Sequence, residues 1–276
     1  MSSVAASRLA AVIGHPVRHS LSPAIHNAVF EASGLDWWFT RFDVLPGGAA
    51  AAIAAMPVLR IGGIAVTMPH KEQAAASVDD VDVAAERLRS VNTVVLRDDG
   101  STFGASTDGD GFVNSLRAAE VTVTDRRVVV LGAGGAARSI VEALGRAGAA
   151  DIAIVNRTRS SAEAASTLAG VARVGTIDDV AAADVLVNST SVGMGTDEMP
   201  IDPGLIRSDL AVADNVYHPL ETAFLRAARA AGAPTVDGLD MLVHQAVLQQ
   251  QLWTGLRPEP AVLRDAAIAA LRARVG

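Results

Sequence analysis

Residues 127–157 read RVVVLGAGGAARSIVEALGRAGAADIAIVNR. The apolar run Val128 to Leu131 has the pattern of a short strand buried on both faces. It passes directly into Gly132-Ala133-Gly134-Gly135-Ala136-Ala137, then an alanine-rich helix, then a second apolar run, Ile152 to Val155. Strand, glycine-rich turn, helix and strand at this spacing form one βαβ unit. The turn matches a dinucleotide fingerprint with alanine in its third small position. Gly132 permits the tight turn, Gly134 lets backbone approach a pyrophosphate, and Ala137 keeps helix and strand close. The helix N-terminus then meets the negative charge. A glycine-rich turn alone is also what a plain structural turn looks like; the flanking strand and helix favour the nucleotide.

The second strand ends in Asn156-Arg157-Thr158-Arg159, without a carboxylate. An acidic residue there would hold the ribose hydroxyls of NAD, whereas guanidiniums and a hydroxyl suit a 2′-phosphate. The competing reading is two surface arginines in a loop. The expected cofactor is NADP.

On either side of this unit the alternation continues. Downstream lie apolar strands in ADVLVNST (183–190) and LAVADNVY (210–217). Upstream, strands are expected at Leu9 to Ile13, Trp37 to Val44 and IGGIAVTMP (61–69), with a hairpin in TVVLRDDGSTFGAS (93–106) about its DDG turn. Helices are expected from Pro23 to Gly34, from Ala49 to Met56, after Pro69, and from about Pro260 to Arg274. The segment Met241 to Leu252 is amphipathic. Its row Gln249-Gln250-Gln251 suits either a partner surface or packing back on the first domain. The sequence therefore divides into an α/β domain over 1–108, a doubly wound α/β domain over 109–238, and C-terminal helices over 239–276 returning to the first.

Composition narrows the function. The chain has 276 residues, half of them hydrophobic, enough for two cores. With 23 basic and 30 acidic residues the net charge is −7, the wrong sign for coating nucleic acid. No apolar run approaches the roughly 18 residues of a membrane span, and the N-terminus lacks the features of an export signal, so a cytoplasmic protein is expected. The absence of cysteine excludes disulfides, thiol catalysis and Cys-ligated metals. The histidines His15 and His19 are separated by Pro16, and no metal site is expected. Of the basic residues 22 are arginine and one, Lys71, is lysine. That bias is either compositional or chemical: an ammonium can release its proton in suitable surroundings and a guanidinium cannot. Tyr217 is likewise the single tyrosine.

Four segments of the first domain carry further candidates. His19-Ser20-Leu21-Ser22-Pro23 sets two hydroxyls just ahead of a helix, where they either cap it or hold a carboxylate. Val66-Thr67-Met68-Pro69-His70-Lys71 ends a strand and opens a helix at the lysine. Ser90-Val91-Asn92-Thr93 opens a strand with an amide, and Ser106-Thr107-Asp108-Gly109 puts a carboxylate at the domain junction.

With these motifs the chain resembles the shikimate dehydrogenase family over nearly its whole length. The resemblance rests on S-L-S-P (20–23), V-T-x-P-x-K (66–71), V-N-T (91–93), T-D-G-x-G (107–111) and G-A-G-G-A (132–136). It continues through N-R-T (156–158), V-Y-x-P (216–219) and G-x-x-M-L-x-x-Q (238–245). It implies a Rossmann-type NADP-binding domain and reduction of 3-dehydroshikimate to shikimate in a cleft between domains. It further implies Lys71 and Asp108 as the catalytic pair, with the lysine stabilising and protonating the developing alkoxide and the aspartate holding substrate hydroxyls and lysine. Ser20, Ser22 and Thr67 fall on the substrate carboxylate side, Asn92 and Gln245 on the ring hydroxyls, and Tyr217 on a substrate contact. Gly132 to Ala136, Asn156 to Arg159 and Gly238 fall on the cofactor. A small-molecule substrate, no membrane or nucleic-acid partner, and a monomer or homodimer are implied.

Two positions depart from the family's commonest pattern: Ala65 and Ser106 stand where asparagine is usual. They leave quinate or aminoshikimate as alternative substrates. A non-catalytic NADP sensor would retain the glycine loop and lose the Lys71–Asp108 pair. A folate-linked methylene dehydrogenase would lack S-L-S-P.

Overall fold

The computed structural model describes residues 8–274; the export-signal reading of residues 1–7 lies outside them. The chain forms two compact units, Met1–Thr107 with Gln245–Gly276, and Asp108–His244.

The first unit is built on a six-stranded sheet of β1 (Arg8–Gly14), β2 (Trp37–Asp43), β3 (Ile61–Val66), β4 (Asp80–Val81), β5 (Thr93–Leu96) and β6 (Thr102–Ala105), in the order β2-β1-β3-β5-β6-β4. β1 lies parallel to β2 and β3, while β5 runs antiparallel to β3 and β6. The β5–β6 pair is the hairpin expected from the DDG turn, with Gly100 at φ +85°. One face carries Ile13, Ile64, Val91 and Val94. The other carries Ala10, Val12, Phe39 and Ala65 against Trp253, whose indole N–H donates to the Val94 carbonyl at 3.0 Å. That contact, from the helix Gly238–Thr254, returns the C-terminal segment to the first sheet.

The second unit holds an all-parallel sheet of β7 (Arg127–Leu131), β8 (Asp151–Val155), β9 (Ala172–Val174), β10 (Val185–Asn188), β11 (Ala211–Asp214) and β12 (Thr235–Val236), ordered β12-β11-β10-β7-β8-β9. This is the doubly wound order, whose strand direction of progress reverses between β7 and β10. The strands are buried Val, Ile and Leu runs because helices cover both faces.

The division between the units differs from the expected one at both ends. Asp108 belongs to the second unit because it opens the helix Asp108–Ala118, which buries Phe112 and Leu116 in the same core as Ile140 and Leu144 of the helix Gly135–Arg146. Residues 239–244 also stay with the second unit, where Met241 packs on that core; the boundary falls inside the helix Gly238–Thr254. The helix expected from Ala49 to Met56 ends at Ala54, and Met56–Leu59 forms a separate turn with Pro57 in its first turn. The edge strands β4, β9 and β12 were not expected, being two or three residues long and too short to show a period.

Candidate active site

In the second unit, the carboxyl end of β7 turns sharply at Gly132, which has φ +109°. A Cβ there would lie 2.7 Å from the Ser189 carbonyl, so both conformation and close approach demand glycine. The next two glycines differ. A Cβ on Gly134 or Gly135 would meet nothing within 4 Å, and both residues are exposed. Packing does not explain them, whereas a ligand lying against bare backbone does. Gly134 is the N-cap of the helix Gly135–Arg146, and no side chain caps that end. Ala133 and Ala136 are partly buried, and Ala137 is fully buried against the sheet.

The Gly132 N–H donates to the Val155 carbonyl at 2.8 Å, fastening the glycine turn to the end of β8. Asn156-Arg157-Thr158-Arg159 begins there. The Asn156 amide donates to the Thr158 carbonyl at 2.9 Å and fixes the loop. Arg159 pairs with Glu163 at 2.8 Å on an open surface. Arg157 is exposed and has no ion-pair partner among the described residues. These residues fit NADP: bare glycine backbone at a helix N-terminus for the pyrophosphate, and Arg157 with no carboxylate at the strand end for a 2′-phosphate. Gly238 has a packing reason of its own, since a Cβ would lie 2.4 Å from the Asn215 carbonyl.

Sequence reading missed the polar cluster behind the neighbouring strand ends. Asn188, fully buried at the end of β10, donates to Asp214 at 2.9 Å and accepts from the Thr190 N–H and hydroxyl. Asp214 also accepts from Thr222 at 2.7 Å, and burial raises its pKa despite these bonds. The cluster ties the β10 loop to the β11 loop, which carries Tyr217. A polar residue closing an otherwise apolar strand, as in VLVN and AVAD, was the available signal.

In the first unit, Ser20 and Ser22 share a hydrogen bond at 3.1 Å, and the Ser22 N–H donates to the Ser20 hydroxyl at 3.2 Å. The helix Ser22–Ala32 has Leu21 as its N-cap without a side-chain bond, and the Ser20 hydroxyl takes the first N–H of the helix, that of Ser22. Two guanidiniums stand over this segment. Arg41 donates to the Ser20 carbonyl at 3.0 Å and Arg274 to the His19 carbonyl at 2.9 Å. They make the segment positive, and neither position was legible in the sequence.

The end of β3 is held by Thr67, whose N–H donates to the Ile13 carbonyl at 2.9 Å. Buried His70 reaches the Val44 carbonyl at 2.8 Å and pins the turn from strand to helix. Lys71 follows as the first residue of the helix Lys71–Ala75, and its carbonyl accepts from Val91 at 3.0 Å. That bond sets the lysine beside the V-N-T strand. Asn92 is buried there. Its Oδ1 accepts from the Thr107 N–H at 2.8 Å and its Nδ2 donates to the Thr107 hydroxyl at 2.9 Å. Gln245 Oε1 stands 3.5 Å from that hydroxyl. The first unit thus brings Asn92, Thr107 and Gln245 together, and the second brings the glycine turn to Asn156–Arg159. Lys71 belongs to the first unit, Asp108 and Tyr217 to the second. Among the described residues, no three His, Asp or Glu side chains converge as a metal site, and His15 pairs with Asp43 at 3.0 Å. No described helix is long and apolar enough to cross a membrane.

Comparison with known proteins supplies the context. Residues 12–94 match the shikimate dehydrogenase substrate binding domain, residues 115–194 the shikimate/quinate 5-dehydrogenase family, and residues 238–268 the shikimate 5′-dehydrogenase C-terminal domain. The shikimate dehydrogenase (NADP(+)) of Moorella thermoacetica is 43% identical over 95% of this chain and 92% of its own length. Shikimate 5-dehydrogenase from Thermus thermophilus, solved in complex with NADP(H) and shikimate, superposes with a TM-score of 0.89 at 37% identity, covering 95% of this chain and 99% of that one. Quinate dehydrogenase from Corynebacterium glutamicum, solved with NAD, gives 0.90 at 32% identity over the same shares. The architecture is therefore common to enzymes of different substrate and cofactor, and the family assignment rests on sequence similarity along the whole chain: this protein belongs to the shikimate dehydrogenase family.

Proposed function

We propose that the chain is a cytoplasmic NADP-dependent oxidoreductase that reversibly reduces 3-dehydroshikimate to shikimate, a step of aromatic amino-acid biosynthesis. The observation that carries this is the full-length similarity to relatives named shikimate dehydrogenase (NADP(+)). The Arg157 site without a carboxylate supports the phosphorylated cofactor. The bound nicotinamide supplies the hydride that is added to the ring carbonyl carbon. Lys71 hydrogen-bonds the carbonyl oxygen, stabilises the charge that develops on it and gives it a proton as the alcohol forms. Asp108 accepts from a substrate hydroxyl. Asn92 and Gln245 take ring hydroxyls, Ser20, Ser22 and Thr67 the carboxylate under the positive field of Arg41 and Arg274, and Tyr217 a further substrate contact. Gly132 to Ala136, Asn156 to Arg159 and Gly238 serve the cofactor.

The test follows nicotinamide absorbance with shikimate and quinate, each offered NADP+ and NAD+. Turnover fastest with shikimate and NADP+ is expected. Preference for quinate with NAD+, or no turnover in any pairing, would overturn the proposal.

A further inference from the structure

The last long helix sends two neighbouring glutamines, Gln249 and Gln250, into the first unit, where both are buried. Gln250 donates to Nδ1 of His26 at 3.0 Å. Gln249 turns toward the strand that carries Asn92. Its Nε2 donates to the Asn92 carbonyl at 3.3 Å and to the Thr93 hydroxyl at 3.1 Å. A carbonyl only accepts, so nitrogen is the atom that must face it and the orientation of the amide is fixed. The other end, Oε1, and Nε2 of His26 are both buried without a well-formed hydrogen bond, and the imidazole interacts with the Gln249 side chain.

This polarity propagates. Thr93 takes the Gln249 N–H on its oxygen and spends its own proton on Asn92 Oδ1 at 2.9 Å. Asn92 Oδ1 also receives the Thr107 N–H, so Nδ2 is left to donate to the Thr107 hydroxyl. The Thr107 proton then has three acceptors in reach, Asn92 Oδ1 at 3.2 Å, the Thr93 hydroxyl at 3.3 Å and Gln245 Oε1 at 3.5 Å. On the sheet, Ala65 pairs with Thr93 and brings no polar group to that hydroxyl, so the helix supplies it.

We propose that Gln249 is a positioning residue for substrate. By donating to the Thr93 hydroxyl it sends the Thr93 proton to Asn92 Oδ1 and reinforces the amide orientation that the Thr107 N–H imposes, so that Asn92 is held in one direction toward a ring hydroxyl. This rests on the assignment of Asn92 and Gln245 to the ring hydroxyls. A residue buried merely for packing would affect stability and leave substrate affinity alone. The structure separates the two roles. In Gln249→Met the Asn92 carbonyl keeps its bond from the Val66 N–H at 2.7 Å, and a buried oxygen without a well-formed bond is removed. The donations to Asn92 and Thr93 are lost, so a modest fall in Tm is expected, and the substrate KM is the readout that a packing role would not move.

Steady-state kinetics of wild type, Gln249→Met, Thr93→Val and the double variant test the idea. Wild-type turnover of shikimate with NADP+ checks the functional assignment independently. For Gln249→Met, KM for shikimate should rise about five- to ten-fold, the size of one buried hydrogen bond, while KM for NADP+ stays within about twofold. Thr93→Val should show the same rise, Thr93→Ser should restore the wild-type value, and the double variant should add little. An unchanged shikimate KM in either single variant, or fully additive effects, would overturn the proposal. Should Gln249→Met fail to fold, the Thr93 pair decides by the same criterion.

Discussion

His26 offers a test of the first unit that needs no substrate. Its imidazole is fully buried, stacked on Phe39 at 4.4 Å and near Trp253 at 5.0 Å. Burial pushes its pKa from 6.5 down to about 3, with the neighbouring Gln249 side chain pulling the other way. The native state thus keeps the ring neutral where an unfolded chain would protonate it. Stability is fully present above pH 6.5 and falls as pH drops from there toward 3. For one proton the limiting slope is about 1.4 kcal/mol per pH unit, so moving from pH 6.5 to 5 removes up to roughly 2 kcal/mol. The carboxylates whose native pKa is lowered, Asp79, Asp80, Asp99 and Asp179, start from 3.8 and contribute mainly below this window. All three tryptophans, Trp37, Trp38 and Trp253, lie in the first unit, so urea unfolding followed by tryptophan emission reports the unit that holds His26. The comparison is between wild type and His26→Gln, read as the slope of stability against pH, because the substitution also removes ring stacking. The wild type should lose stability between pH 6.5 and 5 and the variant should be nearly flat. Equal slopes in the two proteins would refute the reasoning.

Lys71→Ala should abolish turnover while NADP+ binding, measured by fluorescence titration, persists. Lys71→Arg should also be inactive, since guanidinium keeps the charge without releasing a proton; near-wild-type kcat in either would remove Lys71 from the chemistry. Arg157→Ala should raise KM for NADP+ about tenfold and leave that for NAD+ nearly unchanged, as expected for one charge-assisted contact to a 2′-phosphate; equal changes would deny the contact. Gly132→Ala forces a side chain into φ +109° against the Ser189 carbonyl. It should lower stability by about 1–3 kcal/mol in chemical denaturation and weaken NADP+ binding; unchanged stability would mean that the turn is not strained.

The cofactor side was the more legible because its information is local. Strand, Gly132–Ala137 and helix are consecutive, so spacing alone places backbone at the strand end, and Asn156–Arg159 ends the next strand of the same unit. The substrate side depends on partners far apart in the chain. Gln249 meets Asn92 across 157 residues, and Arg274 reaches His19 across 255. No periodicity announces such pairings. The glutamine row is instructive: in sequence it allowed a partner surface, yet Gln249 and Gln250 are buried and only Gln251 is exposed. A buried polar side chain reads as surface until the group that satisfies it is known. Ser20 and Ser22 show a related difficulty, because a hydroxyl ahead of a helix can serve its first N–H and a neighbouring hydroxyl at once, as Ser20 does.

Because the first unit resumes at Gln245 after the whole of Asp108–His244, its assembly is tied to the timetable of the ribosome. When residue 107 has been made, the sheet face bearing Phe39 and Ala65 still lacks Trp253, and the Asn92–Thr93 strand lacks Gln249. Roughly 140 further residues, at about 5–20 per second, must be added first. The nascent N-terminal half spends about 7–28 seconds with that apolar face uncovered, while the nucleotide unit has all of its own strands and can fold ahead of it. Early truncation should therefore yield a sound cofactor-binding unit beside an N-terminal segment that chaperones recognise.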